Sequence, residues 1–92
     1  MEKALKWITP KEKQIEIAQK IKAIRKSKKI SQHVLANQSG VAYASITRFE
    51  QTGEISLSSF VKILFALDLD DCFDSLLNKS LYRNIEDVLN DK

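Results

Sequence analysis

A chain of 92 residues has room for one small domain, and an apolar share of 43% is too high for a disordered one. Two glycines, one proline and apolar residues spaced in threes and fours favour helices over a turn-rich β fold. The net charge of +3 hides a gradient: residues 1–30 hold ten Lys and Arg against three acids, residues 61–92 four against seven. That division suits one face turned to a polyanion and another turned away, although charge alone leaves solvated helix faces an equal reading.

Residues 1–8 read as an N-terminal arm, with Trp7 and Ile8 its only sizeable apolar groups. Thr9-Pro10-Lys11-Glu12 has capping-box spacing with proline at the first helical position, so helix 1 is expected over about Pro10 to Lys28. Ile17, Ile21 and Ile24 make its apolar stripe. Ser31 caps a short helix 2 from Gln32 to about Ser39, and Gly40 suits the left-handed stop. Helix 3 spans about Tyr43 to Gln51, ending near Thr52-Gly53. Ser56 caps helix 4, with a stripe of Leu57, Phe60, Val61, Leu64 and Leu67; Asp70 caps helix 5, with Phe73, Leu76 and Leu77 apolar. In the last segment Leu81, Ile85, Val88 and Leu89 recur at helical spacing. The expected organisation is an arm (1–8), one helical domain (9–78) and an amphipathic helix or tail (79–92). The lone Cys72 sits among apolar neighbours and reads as a small core filler.

The basic start lacks the apolar region of a signal peptide, and the run from Phe60 to Leu67, broken by Lys62, is too short to span a bilayer. A cytoplasmic protein is expected. No Gly-rich phosphate loop, convincing Ser-His-Asp set or metal-ligand cluster is present, so no enzyme and no cofactor is implied. Asp68, Asp70, Asp71 and Asp74 lack the pattern of a calcium loop and read as caps and an acidic first turn.

The informative stretch runs from Ser31 to Glu50. Ala36 is small where two helices must approach, Gly40 lets the chain reverse, and Leu35, Val41 and Ile46 plug the angle between them, with Phe49 turned to the core. Each residue alone is a weak signal; the set at these spacings is a strong one.

Over about Lys22 to Leu77 the chain resembles the Cro/phage-repressor family of helix-turn-helix proteins, through "IRKSKKISQHVLANQSGVAYASITRFE" and "ISLSSFVKILFALDL". Within that family it looks most like the HipB-type antitoxins that partner HipA-like kinase toxins. Thr9-Pro10, Ser45-Ile46 with Phe49-Glu50, and Phe60 to Leu64 ahead of Leu67-Asp68-Leu69 carry the narrower match. The resemblance implies an all-α fold, a five-helix lambda-repressor-like domain with room for a sixth C-terminal helix. Two departures stand out. Ala42 replaces the usual polar cap of helix 3, and the residues after Asp70 read as helix where some such antitoxins have a short strand.

The implied function is a sequence-specific repressor, a homodimer on a palindromic operator in double-stranded DNA, autoregulating a toxin-antitoxin operon with a HipA-like kinase. Two alternatives stay open: an interaction module that neutralises a toxin by contact, or a stand-alone phage-type repressor. By position, Tyr43, Ala44, Thr47 and Arg48 face bases or the groove edge; Arg48 could bridge guanine O6 and N7, with a phosphate or solvent as its alternative. Lys28, Lys29, Gln32, His33, Ser45 and Thr52 are the phosphate candidates; capping or solvent are alternatives for several, and His33 reads more readily as an exposed helix residue. The resemblance also implies that Arg25 of helix 1 pairs with Glu50 at the end of helix 3; two unrelated surface charges are the alternative.

Overall fold

A computed structural model describes residues 8–75 and 77–79, and among them all regular structure is helical. The order is α1 (Pro10–Ser27), α2 (Gln32–Ser39), α3 (Tyr43–Thr52) and α4 (Leu57–Ala66), followed by helical residues at 72–75 and 77–79. No helix among them is long and apolar enough to cross a membrane. The expected arm, apart from Ile8, and the stripe Leu81, Ile85, Val88 and Leu89 lie outside the described residues.

Local chemistry sets the helix starts. The Thr9 hydroxyl accepts the Glu12 N–H at 3.1 Å while the Glu12 carboxylate accepts the Thr9 N–H at 3.0 Å, the reciprocal box that begins α1. Ser31 accepts the Val34 N–H at 3.1 Å and Ser56 the Ser59 N–H at 3.0 Å, so α2 and α4 also start on a hydroxyl. α3 starts on Ala42 and has no side-chain cap.

Gly40 and Gly53 end α2 and α3 in the left-handed region, at φ 78° and 81°. The two differ in surroundings. A β-carbon on Gly40 would meet open space, whereas one on Gly53 would lie 2.9 Å from the backbone of Gln14. Gly40→Ala is therefore expected to cost about 1–2 kcal/mol for its backbone alone. Gly53→Ala adds an overpacking penalty of about 1–3 kcal/mol. Chemical denaturation of both variants checks the order, and equal losses would contradict it.

α1 packs on α3, and α2 packs on both α3 and α4. The core they enclose is Ala18, Ile21, Leu35, Val41, Ile46, Phe49, Ile63, Leu64 and Leu67. Phe60 extends it, its ring tilted against Phe49 on one side and Phe73 on the other.

Three sequence expectations change here. Leu57 and Val61 are exposed, and the core face of α4 is Phe60, Ile63 and Leu64, continued by its C-cap Leu67. Ten residues with seven apolar ones offer more than one stripe, and packing on α2 selects among them. Cys72 is exposed, so it is not a core filler, and Phe73 and Leu77 are also on the surface. The last helical stretch begins at Cys72, which leaves Asp70 in the preceding turn.

Candidate nucleic-acid interface

Successive residues of a helix turn by about 100°, so Tyr43, Ala44, Thr47, Arg48 and Gln51 share one side of α3. Four of them are exposed and Thr47 is half-buried; the buried side of the helix is Ile46, Phe49 and Glu50. The four residues expected from sequence to face a groove thus stand together. Gln51 joins them, missed from sequence although it follows Thr47 at the i+4 spacing that marks one face.

A buried ion pair holds α3 from behind. Arg25 Nε and Nη2 donate to the two Glu50 carboxylate oxygens at 2.7 and 3.0 Å, and Nη1 donates to the Ile30 carbonyl at 2.6 Å. The side chains are only 7% and 2% exposed. Among the described residues no buried side-chain nitrogen or oxygen lacks a partner, as a buried charge requires. Burial pushes the Glu50 carboxyl up, but hydrogen bonds from Arg25 and Gln32 and the charges of Arg25 and Lys22 outweigh it, leaving it below its ordinary value.

Gln32 belongs to the same network. Its amide donates to Glu50 at 2.7 Å, and its carbonyl oxygen accepts the Thr47 hydroxyl at 3.0 Å. The first residue of α2 thereby fixes two positions of α3. An amide carries two N–H donors, so one remains for an outside acceptor. Next to it, the His33 ring lies parallel on the Tyr43 ring at 3.9 Å between centroids, joining the first turns of α2 and α3 on the surface. Neither contact was legible in sequence, because both depend on the angle between the two helices.

The other phosphate candidates are spread around this face. Lys28 is the C-cap of α1 and Lys29 follows at φ 59°; both are exposed, and neither pairs with a carboxylate among the described residues. The Thr52 hydroxyl is engaged locally, donating to the Arg48 carbonyl at 2.8 Å and accepting the Glu54 N–H at 3.1 Å. Ser45 and Arg48 line a cleft of about 320 Å³ with Glu54, Ile55, Ser56 and Ser59. Arg48 itself donates through Nη2 to Glu54. The Arg48 hydrogen bond, followed by that of Lys11, holds the Glu54 carboxyl below its ordinary value. No group of three or more His, Cys, Asp or Glu among the described residues could hold a metal ion.

The described residues therefore define a small helical domain in which one short helix is anchored from within and presents Tyr43, Ala44, Arg48 and Gln51 outward. Compared with models of protein families, with curated proteins and with solved structures, the chain matches none.

Proposed function

We propose that this chain is a sequence-specific DNA-binding repressor of the lambda-repressor-like, helix-turn-helix kind, cytoplasmic and homodimeric. The observation that carries the reading is the anchoring of α3. Its inner side is held by the buried Arg25–Glu50 pair and by Gln32, while Tyr43, Ala44, Arg48 and Gln51 stand exposed. A helix read against a major groove needs both properties: base-edge contacts are won only when the reading side chains arrive in register. In this mechanism Arg48 reads a guanine, Ala44 takes a thymine methyl, and Tyr43, braced by His33, lies on a groove edge. Lys28, Lys29 and the remaining Gln32 N–H carry phosphates, which adds affinity without sequence preference.

One such helix touches few base pairs, too few for the roughly 4–10 kcal/mol that separates specific from nonspecific binding. A two-fold dimer repeats the contacts on a palindrome with half-sites about one helical turn apart. The test is enrichment of duplexes from a randomised pool by the full chain, followed by sedimentation with and without the enriched duplex. A palindromic consensus bound by two chains is expected. No enrichment, or a monomer at high concentration in both states, counts against the reading.

A second reading has its own observation. Leu57, Phe65 and Leu77 are 73%, 62% and 61% exposed, and an apolar hollow of about 210 Å³ lies beside Leu57, lined by Ile17, Phe49, Ile55 and Phe60. Such surface suits protein contact. It supports an antitoxin of the HipB kind that also binds a HipA-like kinase, through a surface that does not include Tyr43, Ala44, Thr47, Arg48 or Gln51. Co-purification with a kinase encoded by the neighbouring gene tests it; failure to co-elute with toxicity unrelieved leaves the repressor alone.

A further inference from the structure

We propose that Glu54 is a specificity-determining residue, a carboxylate that reserves the Arg48 guanidinium for base edges and keeps phosphate from taking it; this rests on the DNA-binding reading above. Glu54 follows Gly53, the stop of α3, and the turn is tied back onto the helix it ends. Its N–H donates to the Thr52 hydroxyl, which donates in turn to the carbonyl of Arg48. That fold-back sets the Glu54 carboxylate beside the Arg48 side chain. Oε1 accepts from Arg48 Nη2, and Oε2 accepts from Lys11 Nζ at 3.0 Å. One carboxylate is thus shared between a cation of α1 and a cation of α3.

An arginine has five N–H donors, and this pair draws only on Nη2. Nε and Nη1 have no partner among the described residues, so an edge of the fork is left for another acceptor. Exposed ion pairs are weak, and at 67% and 42% exposure this one orients Arg48 without locking it. The identity of the second acceptor then matters. A phosphate oxygen is charged, and it would compete with Glu54 for the guanidinium while being repelled by it. The O6 and N7 of guanine are neutral acceptors that can share the cation with a carboxylate. Glu54 therefore lowers affinity for every duplex, and lowers it most where Arg48 would settle on the backbone.

The experiment is a salt series of binding titrations on two probes: a duplex enriched by the wild-type chain from a randomised pool, and its scrambled counterpart. Glu54→Gln keeps the size of an exposed side chain, and its melting temperature is expected to stay near wild type. It should bind the scrambled duplex on the order of threefold tighter for each subunit, the effect of one charge a few ångströms away in water, and so roughly tenfold tighter as a dimer. Its preference for the enriched duplex should fall. Its slope of log K against log salt on the scrambled duplex should steepen by about 1.8 per dimer, at roughly 0.9 for each phosphate gained. Glu16→Gln is the control. It removes an exposed carboxylate held by Lys13 and Lys20, and should leave preference unchanged. Equal loss of preference in both variants would assign the effect to net charge and overturn the proposal. Unchanged preference and slope in Glu54→Gln, with a wild-type chain that does discriminate, would overturn it alone. A wild-type chain that enriches no duplex overturns the DNA reading and this inference together.

Discussion

Glu50→Ala is expected to destabilise the fold by about 3–5 kcal/mol, the cost of stranding a buried charge when its partner is removed. The upper part of the scale applies because both side chains are nearly closed to solvent. The loss reaches past the ion pair: two Arg25 donors and the Gln32 amide lose their acceptor at once. At roughly 4–8 °C per kcal/mol for a domain this size, the melting temperature should drop by more than about 12 °C. DNA binding would fall with it, through the fold. A melting temperature equal to wild type would show that the pair carries no stability.

The same carboxylate sets an acid limb. The folded Glu50 sits below its ordinary value, since hydrogen bonds and charge outweigh the opposing effect of burial. A depressed carboxylate contributes stability that is present above the unfolded value of about 4.3, and that is lost as pH falls through the folded one. Wild type should therefore weaken as pH drops below about 4, and the pH dependence should be shallower in Glu50→Gln, which has no proton to take up. Parallel acid profiles would locate the acid sensitivity elsewhere.

Arg48→Ala should weaken the complex with the enriched duplex and relax preference at one symmetric base pair, sparing nonspecific binding. A bidentate arginine–guanine contact is worth about 1–3 kcal/mol of discrimination at its base pair, and the proposed dimer would lose it twice. Lys28→Ala or Lys29→Ala should instead weaken binding to all sequences alike. If either lysine meets one phosphate per subunit, the salt slope becomes shallower by about 1.8 per dimer. These signatures are independent, so one titration series on enriched and scrambled duplexes reads both. Equal loss on both duplexes with a flatter salt slope in Arg48→Ala would make Arg48 a backbone contact. Base reading would then pass to Tyr43, Ala44, Thr47 and Gln51.

What could be read from sequence is what neighbouring residues decide between themselves. The capping box at Thr9, the caps at Ser31 and Ser56 and the stops at Gly40 and Gly53 are all local bargains between a side chain and nearby backbone. The helix bounds follow them closely. Residues 57–66 show where this ends. Nearly every face there is apolar, so which side meets the core is a matter of what packs against it, and Ile63 is enclosed while Leu57 is not. Cys72 fails for a related reason, since apolar neighbours in sequence place a residue inside only when the element they form is itself covered. Arg25 and Glu50 were expected as a pair from resemblance. Nothing local announced Gln32 as the third member, the stacking of His33 on Tyr43, or the fold-back that hands Arg48 to Glu54.

The bare start of α3 has a consequence in the time domain. A side-chain cap is worth about 1 kcal/mol, and Ala42 supplies none where Thr9, Ser31 and Ser56 serve α1, α2 and α4. The flat contact between His33 and Tyr43 braces that turn from outside. The N–H groups of Tyr43 and Ala44 have no hydrogen-bond acceptor among the described residues, while Ile46 and Phe49 are shut in the core, so these two amides should trade hydrogen for deuterium without the domain unfolding. A fast-exchanging turn amid slower neighbours is a sensitive reporter. Anything that settles over the first turn of α3 slows its exchange, and the footprint is written in backbone protons rather than in stability.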